Sequence, residues 1–129
     1  MSRSQGSEEK RPLLATGRVV GDYETLLRYV ELARERGLKP EDYTLTREDM
    51  EYAMRIFEER RSLLEVIDAL KRKFAARLDC RLASEAMRLS KGVVVPENQA
   101  CDYVSSLYAG WLVEACETLG LVRLREGWR

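Results

Sequence analysis

The sequence contains no histidine among its 129 residues. That removes the commonest general base and the commonest metal ligand. Cysteine is scarce as well: Cys80, Cys101 and Cys116 are odd in number, widely spaced, and include no C-x-x-C pair. A zinc site would lack its fourth ligand, so no metal or other cofactor is expected. All three cysteines fall on or beside apolar helical positions and read as small buried hydrophobes. A phosphate-binding glycine loop is missing too, since Gly17 and Gly21 lack the P-loop lysine pattern. Carboxylates cluster at Glu48/Asp49/Glu51 and at Glu58/Glu59, but helix-end electrostatics and ion pairs with Arg60 and Arg61 account for them. The expectation is a protein that is not an enzyme.

Long apolar runs are also absent. No stretch approaches the roughly 18 residues that a membrane span needs, and the polar N-terminus lacks the apolar segment of a signal peptide. A cytoplasmic chain with no membrane contact is expected. There is one asparagine and there are two glutamines, beside abundant Glu and Arg. That balance is compatible with a thermophilic prokaryote.

What the sequence does have is charge, at 34% of residues, with Lys+Arg and Asp+Glu balanced at 22 each, and a hydrophobic content of 45%. This suits one globular domain with a real core. Residues 1–17 are rich in Ser, Gly and charge and are expected to form a flexible tail ahead of a single helical domain over 18–129.

Within that domain the apolar spacing is helical. The longest stripe lies between Pro96 and Gly120: Ala100, Tyr103/Val104, Leu107/Tyr108, Trp111/Leu112, Ala115/Cys116 and Leu119 recur at three- and four-residue steps. From Gly92 to Val122 there is no Lys or Arg, so this helix is expected to be the buried spine. Asp22 caps a helix over about 23–36 that stops at Gly37, and Thr46 caps another. The run Glu58–Ser62 interrupts its stripe, and Ser62 with Glu65 fits a capping box, so two helices (47–60 and 63–75) are preferred over one bent one. A fourth helix runs from Arg77 or Asp79 to Ser90. The fold class is therefore all-α, about five helices around a long C-terminal one. Val93–Val95, extended before Pro96, is expected to pair with Leu121–Arg125 as a minor two-stranded ribbon.

One charge pattern stands out. Lys71, Arg72 and Lys73 close the third helix; Arg77, Arg81, Ser84, Arg88 and Lys91 then follow at helical spacing on one face of the fourth. Between 71 and 91 seven basic residues oppose only Asp79 and Glu85, so the neutral total conceals a polarised chain. Several cations on one rigid face suit a phosphate backbone, though a solvated helix face or an acidic protein partner would use the same residues. The third and fourth helices also follow the order of a helix-turn-helix, with the basic one as reader.

The segment Leu112–Arg125 resembles the end of a recognition helix running into the wing of a winged-helix transcription regulator: a helix finishing in Leu-Gly-Leu-Val, then a basic segment. That resemblance implies a DNA-binding fold with Arg123, Arg125 and Arg129 in the wing, although the helix before the wing carries no basic residue. Tyr103, Tyr108 and Trp111 read as core, whereas Trp128 could cover a core edge, stack on a base or anchor a dimer. The expected function is a non-enzymatic nucleic-acid-associated protein, a small DNA-binding regulator or accessory subunit of a nucleoprotein complex. Its phosphate contacts would be Lys71, Arg72, Lys73, Arg77, Arg81, Arg88 and Lys91. The alternative is a helical protein–protein adaptor or oligomerisation module.

Overall fold

The computed structural model describes residues 21–124. The proposed tail over 1–17, Arg125, Trp128 and Arg129 lie outside the described residues. Five α-helices are present among those described: α1 Tyr23–Glu35, α2 Arg47–Glu59, α3 Leu63–Ala75, α4 Cys80–Lys91 and α5 Glu97–Thr118, with one 3-10 turn at Pro40–Asp42.

Local chemistry sets nearly every boundary. Asp22 caps α1, its carboxylate accepting from Thr25 N at 3.0 Å. At α2 a full capping box forms: Asp49 N donates to Thr46 Oγ1 at 3.1 Å, and Thr46 N donates to Asp49 Oδ2 at 2.9 Å. The expected break between α2 and α3 is present. Arg60 is extended, and Ser62 Oγ accepts from Glu65 N at 3.2 Å to start α3. Asp79 caps α4 through Arg81 N and Leu82 N. Pro96 is the residue before α5, with extended ψ of 149°. The far end of α5 closes as a Schellman motif: Leu121 N donates to Cys116 O and Gly120 N to Glu117 O, with Gly120 at φ 76°.

The spine role of α5 is plain in the packing. Helices α1, α2, α3 and α4 all rest on it, α1 also packs along α4, and α2 packs on α3. Ala100, Val104, Leu107, Tyr108, Leu112 and Cys116 are buried as the stripe requires. Ala109, Gly110 and Val113, on the opposite face, are buried too, so the middle of α5 is enclosed on both sides. Tyr108 sits at the centre, stacked on Phe74 at 5.2 Å and edge-on to Tyr29 at 5.9 Å, with its hydroxyl donating to Tyr43 O at 2.7 Å.

Three finer expectations turn out differently. No strand occurs among the described residues: Val93–Val95 is extended but does not pair with residues 121–124, so neither the ribbon nor a wing strand there is present. Helices α3 and α4 scarcely touch each other and instead share α5, unlike the two packed helices of a helix-turn-helix. And Cys80 and Cys101 are not independent buried hydrophobes. They form a disulfide joining the first residue of α4 to the second turn of α5; only Cys116 is free, and it is buried. The pair was illegible in the sequence because the two cysteines sit 21 residues apart with a turn reversing the chain between them.

A cross-link closing a loop of that length constrains the unfolded chain by about 3 kcal/mol. Reduction is therefore expected to lower the melting temperature by roughly 10 °C. Thermal scans with and without dithiothreitol check this, and a shift below about 2 °C would show that the bridge contributes nothing to stability.

Candidate functional site

Taken residue by residue, the structure divides the seven cations read from the sequence. Arg77 lies outside α4, in the turn after α3, and points away from the α4 face. It reaches Asp49 at the start of α2, with Nη1 2.9 Å from Oδ1 and Nη2 2.7 Å from Oδ2, a bidentate pair. Lys73 approaches the same carboxylate at 4.0 Å. Lys71 turns the other way, onto α5, where Nζ is 2.8 Å from Asp102 Oδ1. Arg72 pairs within its own helix with Asp68 at 3.1 Å, and its side chain remains 73% exposed. Three consecutive residues on a helix point about 100° apart, so 71, 72 and 73 serve three different surroundings.

On α4, Arg81, Ser84, Arg88 and Lys91 share a ridge as their spacing requires. The linker between α4 and α5 doubles back along it. Ser84 Oγ donates to Val95 O at 3.1 Å, and Arg81 Nε lies 3.9 Å from Glu97. Lys91 Nζ is 3.4 Å from Asp22 at the start of α1. Arg88 is exposed and pairs with no carboxylate among the described residues. Arg81 is 86% exposed and its pair is long, so the exposed cations are Arg72, Arg81 and Arg88, with Lys91 partly so.

Two carboxylates organise the remainder, and sequence reasoning saw Asp22 only as a helix cap and Asp49 only as charge in a first helical turn. Asp49 has no exposed side-chain surface. Burial opposes its ionisation most strongly, but the Arg77 hydrogen bonds and charge, with those from Thr46, outweigh that and hold the carboxyl below the usual aspartate range. Asp22 is similar: burial is again the largest influence, outweighed by hydrogen bonds from Tyr103 and Thr25 and by Lys91. Tyr103 Oη donates to Asp22 Oδ2 at 2.6 Å, and Thr25 Oγ1 donates to it at 2.7 Å. Burial, then the Asp22 hydrogen bond, push the Tyr103 hydroxyl up to about 12. Thr25 and Ser90 hydroxyls meet at 2.6 Å, so α1, α4 and α5 are tied at one point. A signal for Asp49 did exist: the spacing Thr46-x-x-Asp49 is a capping box, and a carboxylate fixed in that way is pre-set to receive a cation.

Both pKa values are depressed, so each carboxylate adds stability fully present above the unfolded-state aspartate value near 3.9, and lost as pH falls through the lower folded value. Urea midpoints are expected to hold from pH 7 to about 5 and then fall steeply below about pH 4. Asp49→Asn should flatten that acid limb; an unchanged limb would mean Asp49 is not one of the groups responsible.

Beside the linker lies a groove of about 620 Å³, bordered by Met87, Val95, Asn98, Gln99, Asp102 and Tyr103. Met87 and Val95 supply its apolar surface, and the Asn98 and Gln99 carboxamides, the Asp102 carboxylate and the Tyr103 and Ser106 hydroxyls its polar surface. The linker itself presents bare hydrophobic surface, Val94 being 82% and Val93 42% exposed. The remaining reactive candidates do not assemble. Burial pushes the Cys116 thiol up to about 11, and among the described residues no group of three or more His, Cys, Asp or Glu is placed to hold a metal ion. Among the same residues, no helix is long and apolar enough to cross a membrane.

No known protein-family model, curated protein or solved structure matches the chain.

Proposed function

We propose that this chain is a non-enzymatic helical interaction module, whose contact surface is the α4–α5 linker with the groove beside it. The observation that carries this is the linker: two consecutive β-branched residues held outside the core, Val93 42% and Val94 82% exposed, next to a groove bordered by Met87 and Val95. Isolated exposed hydrophobes need no explanation, but a run of them flanking a groove is the composition of a contact surface. The internal pairing of Lys71, Lys73 and Arg77 also supports it, because those cations are committed to the fold.

A photo-crosslinking residue at position 94 tests the proposal in lysate of the source cells. Protein adducts at 94, absent when the same residue replaces the solvent-facing Glu24, are expected. Adducts equal at both positions would refute it.

Nucleic-acid association is the second reading. Arg72, Arg81 and Arg88 favour it, three exposed arginines whose ion pairs are absent or solvent-exposed. Its contact set is then smaller than the seven residues first named, and its specificity low, since arginine alone reads guanine. Nucleic acid, rather than protein, on the crosslinker at 94 would favour it.

A further inference from the structure

We infer that the Cys80–Cys101 pair is a reversible thiol–disulfide switch that decides whether the α4–α5 linker keeps its course along α4. Where it bears on binding, this rests on the interaction-module reading and supplies its regulation: the contact surface is presented by the bridged chain and lost from the reduced one.

The bridge closes a ring that contains all of α4, the linker and the first turn of α5. Both helices are anchored independently of it. Leu82, Ala83 and Ala86 are buried and α4 packs along α1, while α5 enters the core at Ala100. The segment between them is held differently. From 91 to 99 every residue except Val95 is exposed. Apart from the packing of Val95, its tertiary ties are the Ser84–Val95 bond, the Lys91–Asp22 pair and the long, solvent-exposed Arg81–Glu97 pair. A segment with so few buried contacts opens locally at little cost. The covalent hold on it is the bridge, which runs from the first residue of α4 to a residue just past Gln99.

The same bridge is placed for exchange. Cys80 is only partly buried, whereas Cys101 is 6% exposed, so an attacking thiolate meets the Cys80 sulfur. Two thiolates, from a dithiol or from two molecules of a small thiol, open the bridge in sequence. The first bonds to the Cys80 sulfur; the S–S bond breaks, and Cys101 leaves with the electron pair and takes a proton from water. The second displaces Cys80 from the mixed disulfide, and the two reductant sulfurs depart joined to each other. The chain has then gained two electrons and two protons, and a disulfide of the same class reverses both steps. The Cys80 thiolate released lies in the first turn of α4 next to Arg81, which favours the anion; Asp79, whose carboxylate accepts from Arg81 N and Leu82 N, opposes it. Cys116 is fully buried and stays out of the exchange, so the couple has two states.

Thiol titration and nitrogen-15 relaxation of the full chain provide the test. Exchanging oxidised for reduced glutathione should raise the thiols counted after acid quenching and unfolding from one to three per chain, and the reverse exchange should restore one. With the helices still folded, backbone order parameters at 93–95 and 97–99 should fall from about 0.85 in the bridged chain to below about 0.6 in the reduced one, while those of α1, α2 and α3 stay unchanged. Cys80→Ser with Cys101→Ser should show the reduced pattern in either buffer. A bridge that stays closed in reduced glutathione, or linker order parameters that ignore its opening, would overturn the inference. Protein adducts at position 94 should form with the bridged chain and fall to background with the reduced one. Adducts equal in both states overturn the regulation and leave the module reading intact; adducts in neither end the module reading, and the order parameters then decide the switch by themselves.

Discussion

Leu112→Asp is expected to abolish folding. Leu112 is fully buried on α5, the helix on which the other four rest. Losing a buried leucine side chain costs about 2–5 kcal/mol, and burying a carboxylate without a partner adds several more. A domain of this size has only about 5–15 kcal/mol in hand. The helix itself carries neither Lys nor Arg to rescue the charge. Far-ultraviolet circular dichroism at 25 °C should therefore show loss of helix and no cooperative melting. Leu27→Asp, on the exposed side of α1, should stay within about 0.5 kcal/mol of the parent and serves as the control. If Leu112→Asp melted cooperatively near the parent temperature, α5 would not be the core.

Asp49→Ala should have the next largest effect, a loss of about 3 kcal/mol. The substitution removes one acceptor of the α2 capping box and strips Arg77 of both its hydrogen bonds. Arg77 is only 21% exposed, and its Nε is already buried without a hydrogen-bond partner. The guanidinium would then be an uncompensated charge where the turn after α3 meets the start of α2, which is why removing one partner of such a pair costs more than the pair itself contributes. Arg77→Met should cost clearly less, because it leaves Asp49 in its capping role with Lys73 at 4.0 Å. A double-mutant cycle of the two in urea should give a coupling of about 1–3 kcal/mol; coupling below about 0.3 kcal/mol would make the bidentate geometry energetically idle.

The contrast between these two residues shows what the sequence could reveal. Leu112 belongs to a stripe that repeats for over five turns, and periodicity alone places it in the core. The caps at Asp22, Thr46 and Ser62 were equally legible, because capping chemistry acts within a few residues. The partnership of Asp49 with Arg77 was not: it spans 28 residues, and a carboxylate in the first helical turn has a sufficient local explanation. The same holds for Asp22 and Tyr103, 81 residues apart, and for the Cys80–Cys101 bridge. Spacing on a helical wheel correctly placed Arg81, Arg88 and Lys91 on one ridge. It misplaced Arg77, because the helix starts only after the Asp79 cap, and it could not register that Lys71, Lys73 and Arg77 have carboxylates waiting on other helices. Charge patterns therefore overstate a polyanion surface wherever tertiary partners neutralise them.

That division of the cations between fold and surface is the central claim, and an equilibrium titration against nucleic acid tests it most directly. Labelled duplex and single-stranded DNA and RNA would be followed by fluorescence anisotropy at about 50 mM salt, then at rising salt. The account predicts no change in anisotropy up to about 100 µM protein, a range in which non-specific nucleic-acid binders are already saturating. Tight binding that falls with a log–log salt slope of about −3 or steeper, and that Arg81→Glu with Arg88→Glu abolishes, would contradict it and establish the α4 ridge as a phosphate-binding surface.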